Sequence, residues 1–176
     1  MIERPQRGEI GDYYFRYIDL VPEGADIRDL IESQRRSAAA FLGGISEEQS
    51  RKRYAPEKWS MRQVLGHVAD TELVFLFRAF WFARSFPDAL PSFDEKPSAE
   101  RQRADDISWE SLTSAFDGVR AATVGFFRNL PPEAWTRTGI ASGNPFTVRA
   151  LAFVIAGHLA HHERVLRERY LAGGGA

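Results

Sequence analysis

The chain has 176 residues, of which 44% are hydrophobic and 27% charged, the composition of an ordinary globular protein. Its 23 Lys and Arg residues nearly balance 24 Asp and Glu residues, so no strong positive field favours nucleic acid or anionic lipid. The absence of cysteine excludes disulfides, Cys-ligated metal sites and a thiol nucleophile supplied by the chain. The length predicts one domain over residues 1–176.

Neither a membrane span nor a secretion signal is evident. The longest apolar run, residues 150–156, is far shorter than the roughly 20 residues that cross a bilayer. The first eleven residues mix charges with Pro5, unlike a signal peptide. We therefore expect a cytoplasmic protein whose partner is a small molecule, with no nucleic acid or membrane partner.

The first two predicted elements are an arm and a helix. In residues 12–21, aromatic residues recur with an imperfect period of two, which predicts a short extended N-terminal arm. Apolar residues then recur at three- and four-residue steps over residues 27–42. Asp26 is a suitable N-cap and Gly43-Gly44 a suitable end, so we predict a first helix there.

The second helix has a clear start. Ser60 and Gln63 form a capping-box pattern, and Trp59 can pack onto Val64 as a hydrophobic staple. We expect this helix to continue to Pro87. A polar connection of about 20 residues follows, longer than a structural turn requires, and connections of this length often carry function.

Two further helices follow. Ser108 is predicted to cap a third helix with an apolar stripe, which ends at Pro131-Pro132. Residues 136–145 are rich in Gly, Ser and Asn and predict a loop. Phe146-Thr147 repeat the staple-and-cap pattern and open a fourth helix that continues to about residue 171. Four amphipathic helices predict an all-α four-helix bundle, in which sites form between facing helices.

The four histidines all lie in the second and fourth predicted helices. At 100° per residue, His67 lies on the inward stripe of the second helix, and His158 and His162 lie on that of the fourth. His161 is turned about 80° away from that stripe. An i, i+4 pair can meet one ion, and a histidine from a facing helix can supply the third nitrogen.

Three histidine ligands leave a coordination position open for water or substrate, as in catalytic metal sites. Imidazole suits zinc, nickel, copper or iron, so these residues do not choose the metal. The residues alone also leave open an alternative in which inward histidines are hydrogen-bonded core residues.

Several other chemistries are disfavoured. The His-Glu-x-x-His motif of zinc proteases needs Glu after its first histidine, where this chain has Leu159. Ser142, within residues 139–143, is in the wrong register for a serine-hydrolase elbow. His158 and His162 lie on one helix and cannot ligate opposite faces of a haem.

Three charged residues of the second helix are weaker candidates. Asp70 or Glu72 could orient a histidine or act as a base. Their angular offsets from His67, about 60° and 140°, favour solvated or interhelical carboxylates instead. Arg78 lies on the inward stripe and needs a partner, and we expect an internal salt bridge in preference to an anionic substrate group.

These features together resemble the DinB-like superfamily, especially its YfiT-like metal-dependent hydrolases and thiol transferases. The resemblance rests on Trp59-Ser60 at a helix start, the segment 64–70 around His67, the loop residues Asp94-Glu95-Lys96, and the His158-x-x-x-His162 pair. It implies an up-down-down-up bundle, one divalent ion, commonly zinc or nickel, held by the three histidines, and a homodimer. Asp94 and Glu95 match a loop that either closes over the metal or forms a solvated turn, and the turn is favoured.

Our leading hypothesis is a metal-dependent enzyme. The ion would activate water, as in a hydrolase, or a low-molecular-weight thiol, as in bacillithiol- or mycothiol-type transferases. Family resemblance alone ranks the thiol first, and the missing cysteines require that thiol to come from outside the chain. The alternative is a non-catalytic metal-binding or stress-related interaction module.

Overall fold

The computed structural model describes residues 1–172. These residues form six α-helices and one two-stranded antiparallel sheet. The helices are α1 (Phe15–Ile18), α2 (Ile27–Gly43), α3 (Met61–Ala83), α4 (Glu95–Gln102), α5 (Trp109–Arg128) and α6 (Val148–Val165). The strands are β1 (Thr138–Ala141) and β2 (Asn144–Thr147), and α6 continues as a π-helix over Leu166–Leu171.

The four long helices begin where their capping residues predict. The side chains of Asp26, Ser60, Ser108 and Thr147 each accept a hydrogen bond from a backbone N–H in the first turn. At Ser60 the capping box is complete, because the Gln63 side chain also accepts from the Ser60 N–H at 3.0 Å. Each such cap is worth about 1 kcal/mol and sets the helix start. The four predicted helix starts are confirmed.

Contacts between helix ends give the direction of each long helix. Trp109 Nε1, at the start of α5, donates to Leu42 O, near the end of α2, so these helices run antiparallel. Arg62 Nη1 donates to Ile107 O at 2.7 Å, joining the starts of α3 and α5, which are therefore parallel. Tyr170 Oη, in the π-helix that follows α6, donates to the backbone oxygen of Trp59, which precedes α3, so α3 and α6 run antiparallel. The four long helices therefore run up, down, down and up. Because α3 and α5 are parallel, the chain needs a long connection to return from the end of α3 to the start of α5.

The bundle interior has two apolar clusters separated by a polar layer. One cluster lies around the start of α6 and the end of α3, and the other around the start of α3 and the end of α6. Between them all four long helices contribute polar side chains: Gln34 from α2, Thr71 and Glu72 from α3, Arg120 and Thr123 from α5, and His158 from α6. This layer places polar chemistry at the centre of the bundle.

The predicted extended arm over residues 12–21 is wrong. Asp12–Tyr14 form a 3-10 turn and Phe15–Ile18 form α1, which packs against α6. Tyr14, Tyr17 and Ile18 are buried or half-buried, at the three- and four-residue spacing of a helix. Packing of these side chains therefore outweighed the alternation of aromatic residues.

Three further differences concern the connections. Residues 136–145 were expected as a loop but contain β1, the Ser142-Gly143 turn and the start of β2, and both turn residues have positive φ, as in a type I′ hairpin. α3 ends at Ala83, before Pro87, and Ser85 has a φ of 57°. The polar connection that follows contains α4. Within residues 1–172 no helix is both long and apolar enough to cross a membrane.

Candidate metal centre

The structure brings together ring nitrogens of three histidines from two helices. Nε2 of His158 lies 3.2 Å from Nε2 of His67 and 3.1 Å from Nε2 of His162. The three candidate ligand atoms all lie within 4.8 Å of one another. These are the three histidines singled out by the helical stripes, and among the described residues His161 does not join them.

The spacing of these nitrogens fits a divalent ion. Two nitrogens that each lie about 2.0–2.1 Å from a zinc ion at a tetrahedral angle are about 3.3 Å apart. A second observation concerns His67, whose Nδ1 lies 3.3 Å from Thr71 Oγ1. If Nδ1 donates to that hydroxyl, the lone pair of Nε2 faces the other two rings, which is the tautomer that binds a metal. That the three histidines hold an ion stays a prediction.

Burial keeps the three imidazoles neutral. It lowers the pKa of His67 to about 4. The pKa values of His158 and His162 are held well below the ordinary value, first by burial and then by the neighbouring histidines. Neutral imidazole is the form that donates a lone pair to a metal, so no proton has to be displaced near neutral pH.

An open cleft of about 440 Å³ leads to His162. Its wall includes the aromatic side chains of Trp59 and Tyr170, and its rim carries Lys96 from α4. The Trp59 ring also packs at 5.1 Å from the His67 ring. A small molecule in this cleft therefore has direct access to the histidine cluster.

His161 also lines this cleft, but it is not one of the three histidines whose ring nitrogens lie together. Its ring lies edge-on to Tyr17, at 5.6 Å between centroids, and to His162, at 4.9 Å. Tyr17 also packs on His158 at 5.1 Å. α1 thus covers the cluster with an aromatic ring, which sequence reasoning missed because it treated that segment as extended.

Asp70 and Glu72 have partners away from the histidine nitrogens. Asp70 accepts hydrogen bonds from Ser98 Oγ at 3.1 Å and Gln102 Nε2 at 3.1 Å, and so fastens α4 to α3. Glu72 is buried and accepts from Thr123 Oγ1 at 2.7 Å, with Arg120 at 3.4 Å. Both carboxylates tie helices together, as the angular offsets favoured.

Arg78 is buried, as predicted, but the expected internal salt bridge is wrong. Among the described residues no carboxylate lies within ion-pair distance of Arg78. Its Nη2 donates to Pro91 O at 3.2 Å and Ser142 Oγ at 3.0 Å. The guanidinium also lies over the Phe146 ring at 5.4 Å. Backbone, hydroxyl and aromatic groups therefore take the place of the carboxylate.

Asp94 and Glu95 open α4, a helix that the sequence prediction did not include. Asp94 is its N-cap and accepts from the Lys96 N–H at 3.2 Å, while Glu95 is exposed in its first turn. Neither side chain belongs to the cluster of candidate ligands. These charges are exposed at the start of a helix instead of in a loop turn, and Lys96 and Glu100 of the same helix line the cleft.

Comparison with known proteins agrees with this architecture. The family profile of the DinB superfamily matches residues 30–166, which include all three clustered histidines. The chain belongs to the DinB superfamily.

One curated relative of this DinB-superfamily chain comes from Oceanobacillus iheyensis and carries the name of a metal-dependent hydrolase. The two sequences are 23% identical over 149 residues, which cover 81% of this chain and 86% of the relative.

Two solved structures share the fold. YfiT from Bacillus subtilis, described as a probable metal-dependent hydrolase with an unusual four-helix bundle topology, has a TM-score of 0.63 and 16% identity. That match covers 94% of this chain and 92% of YfiT. A mycothiol-dependent maleylpyruvate isomerase has a TM-score of 0.66 and 10% identity, over 84% of this chain and 61% of its own length.

Proposed function

We propose that the protein is a metal-dependent enzyme that uses one divalent ion, zinc or nickel, to activate a small nucleophile. The observation that carries the proposal is the convergence of three neutral imidazoles, two buried and one half-buried, beside an open cleft. Metal-dependent hydrolase is also the name of the curated relative and the description of YfiT.

Each part of the chain has a task in this proposal. His67, His158 and His162 would hold the ion, which when bound would lower the pKa of a water or thiol ligand. Thr71 fixes the ring orientation of His67. Tyr17 packs against the His158 ring and Trp59 against the His67 ring, so both help to hold these imidazoles in place.

The nucleophile comes from outside the chain in either form of the reaction. Because the sequence has no cysteine, thiol chemistry requires a low-molecular-weight thiol as co-substrate. The cleft of about 440 Å³ has room for such a molecule and a small electrophile. We place the thiol-dependent reaction first because one structural neighbour is a mycothiol-dependent isomerase.

The test is turnover of the metal-loaded full-length protein against a panel of activated esters, epoxides and alkyl halides, each with and without cysteine as the probe thiol. We expect turnover by the wild type to disappear when the metal is removed and to be lost in His162→Ala. In His161→Ala, turnover should remain and should still depend on the metal. A requirement for thiol indicates a transferase, whereas inhibition by thiol indicates a hydrolase. Metal-loaded protein without turnover on any member of the panel contradicts the proposal and favours the non-catalytic module.

A further inference from the structure

Arg78 is a buried cation that no anion of the chain accompanies. It is 3% exposed, and its contacts are the backbone oxygen of Pro91, the hydroxyl of Ser142 and the rings of Phe75 and Phe146. None of these groups carries a negative charge, and in the part of the chain that the structure describes no carboxylate forms an ion pair with Arg78. Arginine is rarely buried without a charged partner, because taking a charge out of water is costly. The missing partner points to an anion from outside the chain.

Two nitrogens of the guanidinium have hydrogens without an acceptor. The hydrogen bonds of Arg78 to Pro91 and Ser142 both come from Nη2. Nε and Nη1 also carry N–H donors, and neither has an acceptor within the described chain. These two atoms are not sealed in the core either, since the fully buried, unpaired side-chain atoms found there belong to Gln102 and Arg120. Nε and Nη1 can therefore reach a ligand at the surface.

Two hydroxyl groups lie beside the guanidinium. Ser142 Oγ accepts a hydrogen bond from Arg78 Nη2 at 3.0 Å, so its own hydrogen remains available for an acceptor. Burial raises the pKa of Tyr14, and the Arg78 charge counteracts part of this rise, which places the phenol close to the guanidinium. Because its pKa is raised, Tyr14 keeps its proton and can donate a hydrogen bond. Guanidinium N–H groups and hydroxyl donors in one place suit a ligand with negatively charged oxygen atoms.

The turn that carries Ser142 holds its hydroxyl in place. Ser142 and Gly143 have φ values of 53° and 72°, as in a type I′ turn, whose first central residue is usually Asn, Asp or Gly. Ser142 N donates to Leu90 O at 3.1 Å, so this turn is fastened to the connection that also supplies Pro91. The Ser142 hydroxyl and the guanidinium are therefore positioned before any ligand arrives.

A single positive charge just below the surface indicates the class of ligand. Pro91 is exposed and Tyr14 and Ser142 are half-buried, so a ligand can approach the guanidinium from the solvent side. The charge of Arg78 is balanced by one carboxylate, whereas a phosphate group carries roughly two negative charges near neutral pH. The charge therefore favours a carboxylate.

We propose that Arg78, Tyr14 and Ser142 form a binding site for the carboxylate group of a small molecule. The carboxylate accepts hydrogen bonds from the guanidinium and the two hydroxyls and balances the buried charge. The centroid of the Phe75 ring lies 6.0 Å from Arg78 Cζ and 6.4 Å from that of the His158 ring, so the site adjoins the histidine cluster without sharing a residue with it. The proposal is therefore independent of the proposed metal chemistry.

The test is the binding of acetate to the purified full chain, measured by saturation-transfer NMR on the acetate methyl protons. We expect saturable binding by the wild type and an affinity at least about tenfold lower in Arg78→Gln, since charge-assisted hydrogen bonds are lost. Arg35→Gln is the matched control, because Arg35 already has a carboxylate partner in Asp117, and it should bind acetate like the wild type. A wild type that does not bind acetate, or an unchanged affinity in Arg78→Gln, overturns the proposal.

Acetate can also ligate a metal, and His162→Ala distinguishes that event from binding at Arg78. Acetate binding should persist in His162→Ala. Binding that is lost in His162→Ala and kept in Arg78→Gln contradicts the proposal. Inorganic phosphate is the second probe and should compete with acetate only weakly. Tighter binding of phosphate than of acetate contradicts the assignment of a carboxylate.

Two milder variants test the site even if Arg78→Gln does not fold. Tyr14→Phe and Ser142→Gly each remove one hydroxyl, and glycine also suits the left-handed backbone of the turn. Each should weaken acetate binding about threefold to tenfold. Tyr13→Phe is the control, since Tyr13 is 57% exposed, and it should leave the affinity unchanged. If Arg78 only ties Pro91 to Ser142, the two variants change stability but not acetate affinity, and that result overturns the proposal.

Discussion

His67 Nε2 lies 3.2 Å from His158 Nε2, although the two residues are 91 positions apart in the chain. The contact exists because α3 and α6 run antiparallel and both contribute to the polar layer of the bundle. The same packing that closes the bundle therefore assembles the candidate metal centre. Variants in this layer can then be separated into those that lose the ion and those that lose the fold.

The first prediction concerns the ligand set. Purified protein should carry about one divalent ion per chain, measured by elemental analysis, because three histidines and an open position form one site. His67→Ala, His158→Ala and His162→Ala should each lower metal affinity at least about 100-fold, since loss of a direct ligand exceeds the 10–100-fold typical of an outer partner. His161→Ala is the matched control and should keep the ion. Loss of the ion in His161→Ala but not in His162→Ala contradicts the assignment.

The second prediction concerns the partner of His67. Thr71→Val keeps the shape of the side chain but removes the hydroxyl 3.3 Å from His67 Nδ1. We expect metal affinity to fall about 10–100-fold, because the ring loses the group that fixes its tautomer. Thr113→Val is the control, since Thr113 Oγ1 donates only to Glu110 O on its own helix. Competition with a chromophoric chelator measures the metal affinity of both variants. Equal affinities would show that Thr71 does not fix the His67 ring for metal binding.

The sequence allowed the four long helices to be predicted because caps and apolar stripes are local signals. Ser60 with Gln63, for example, indicates a helix start before any tertiary contact is known. The three histidines were predictable for the same reason, since a helical wheel shows which side of a helix faces inward once the bundle is assumed. His161, one position away from His162, was separated from the cluster by angle alone.

What could not be predicted depends on contacts distant in sequence. α1 becomes helical because Tyr17 and Ile18 pack on α6, and in the sequence the helical spacing of these residues competes with an alternation of aromatic residues. Arg78 was expected to pair with a carboxylate, yet its partners come from Pro91 and from the Ser142 turn of an unpredicted hairpin. The exposure of Phe77 was equally hidden, because composition does not distinguish a buried aromatic residue from an exposed one.

The third prediction separates Glu72 from the chemistry. Glu72→Ala should lower the free energy of unfolding by about 3–5 kcal/mol, because Arg120 is then a buried charge without a carboxylate. The double variant Glu72→Leu/Arg120→Met should lose less, since both charges are removed together. Metal content per folded chain should be unchanged in both. The exposed pair Arg7–Asp12 offers a control, and Asp12→Ala should leave the thermal midpoint nearly unchanged. Loss of the ion from folded Glu72→Ala would instead indicate a role in the metal centre.

The fourth prediction is a pH dependence of stability. Glu9 accepts hydrogen bonds from Arg149 Nε at 2.7 Å and Thr147 Oγ1 at 2.8 Å. Burial alone would raise the pKa of Glu9, but hydrogen bonds from Arg149, Gln6 and Thr147 outweigh burial and lower this pKa. The stabilisation is then complete above the unfolded pKa of about 4.3 and is lost as pH falls through the lower folded value.

Glu9→Gln should therefore lower the free energy of unfolding by about 1–2 kcal/mol at pH 7, and the difference from wild type should shrink only below about pH 4.5. Urea unfolding at a series of pH values measures this difference. Glu3 also contacts Arg149, at 3.3 Å, but its side chain is exposed, so Glu3→Gln is the control and should show little effect. If the difference in unfolding free energy between Glu9→Gln and wild type instead grew as the pH fell from 7 to 3, the prediction would be contradicted.

The last prediction tests how α1 is docked over the histidine cluster. A Cβ at Gly157, in the middle of α6, would lie 1.9 Å from the backbone oxygen of Tyr17, whereas a Cβ at Gly118 in α5 would meet nothing within 4 Å. Glycine to alanine inside a helix normally stabilises by up to about 1 kcal/mol. Gly118→Ala should follow that rule, measured by chemical denaturation. Gly157→Ala should instead destabilise the protein by about 1–3 kcal/mol, because backbone must move to make room.

The displaced Tyr17 should also expose the histidine cluster, so the bound ion should exchange faster with a chelator in Gly157→Ala than in Gly118→Ala. Two variants of equal stability and equal exchange rate would mean that α1 does not pack on α6 at this glycine.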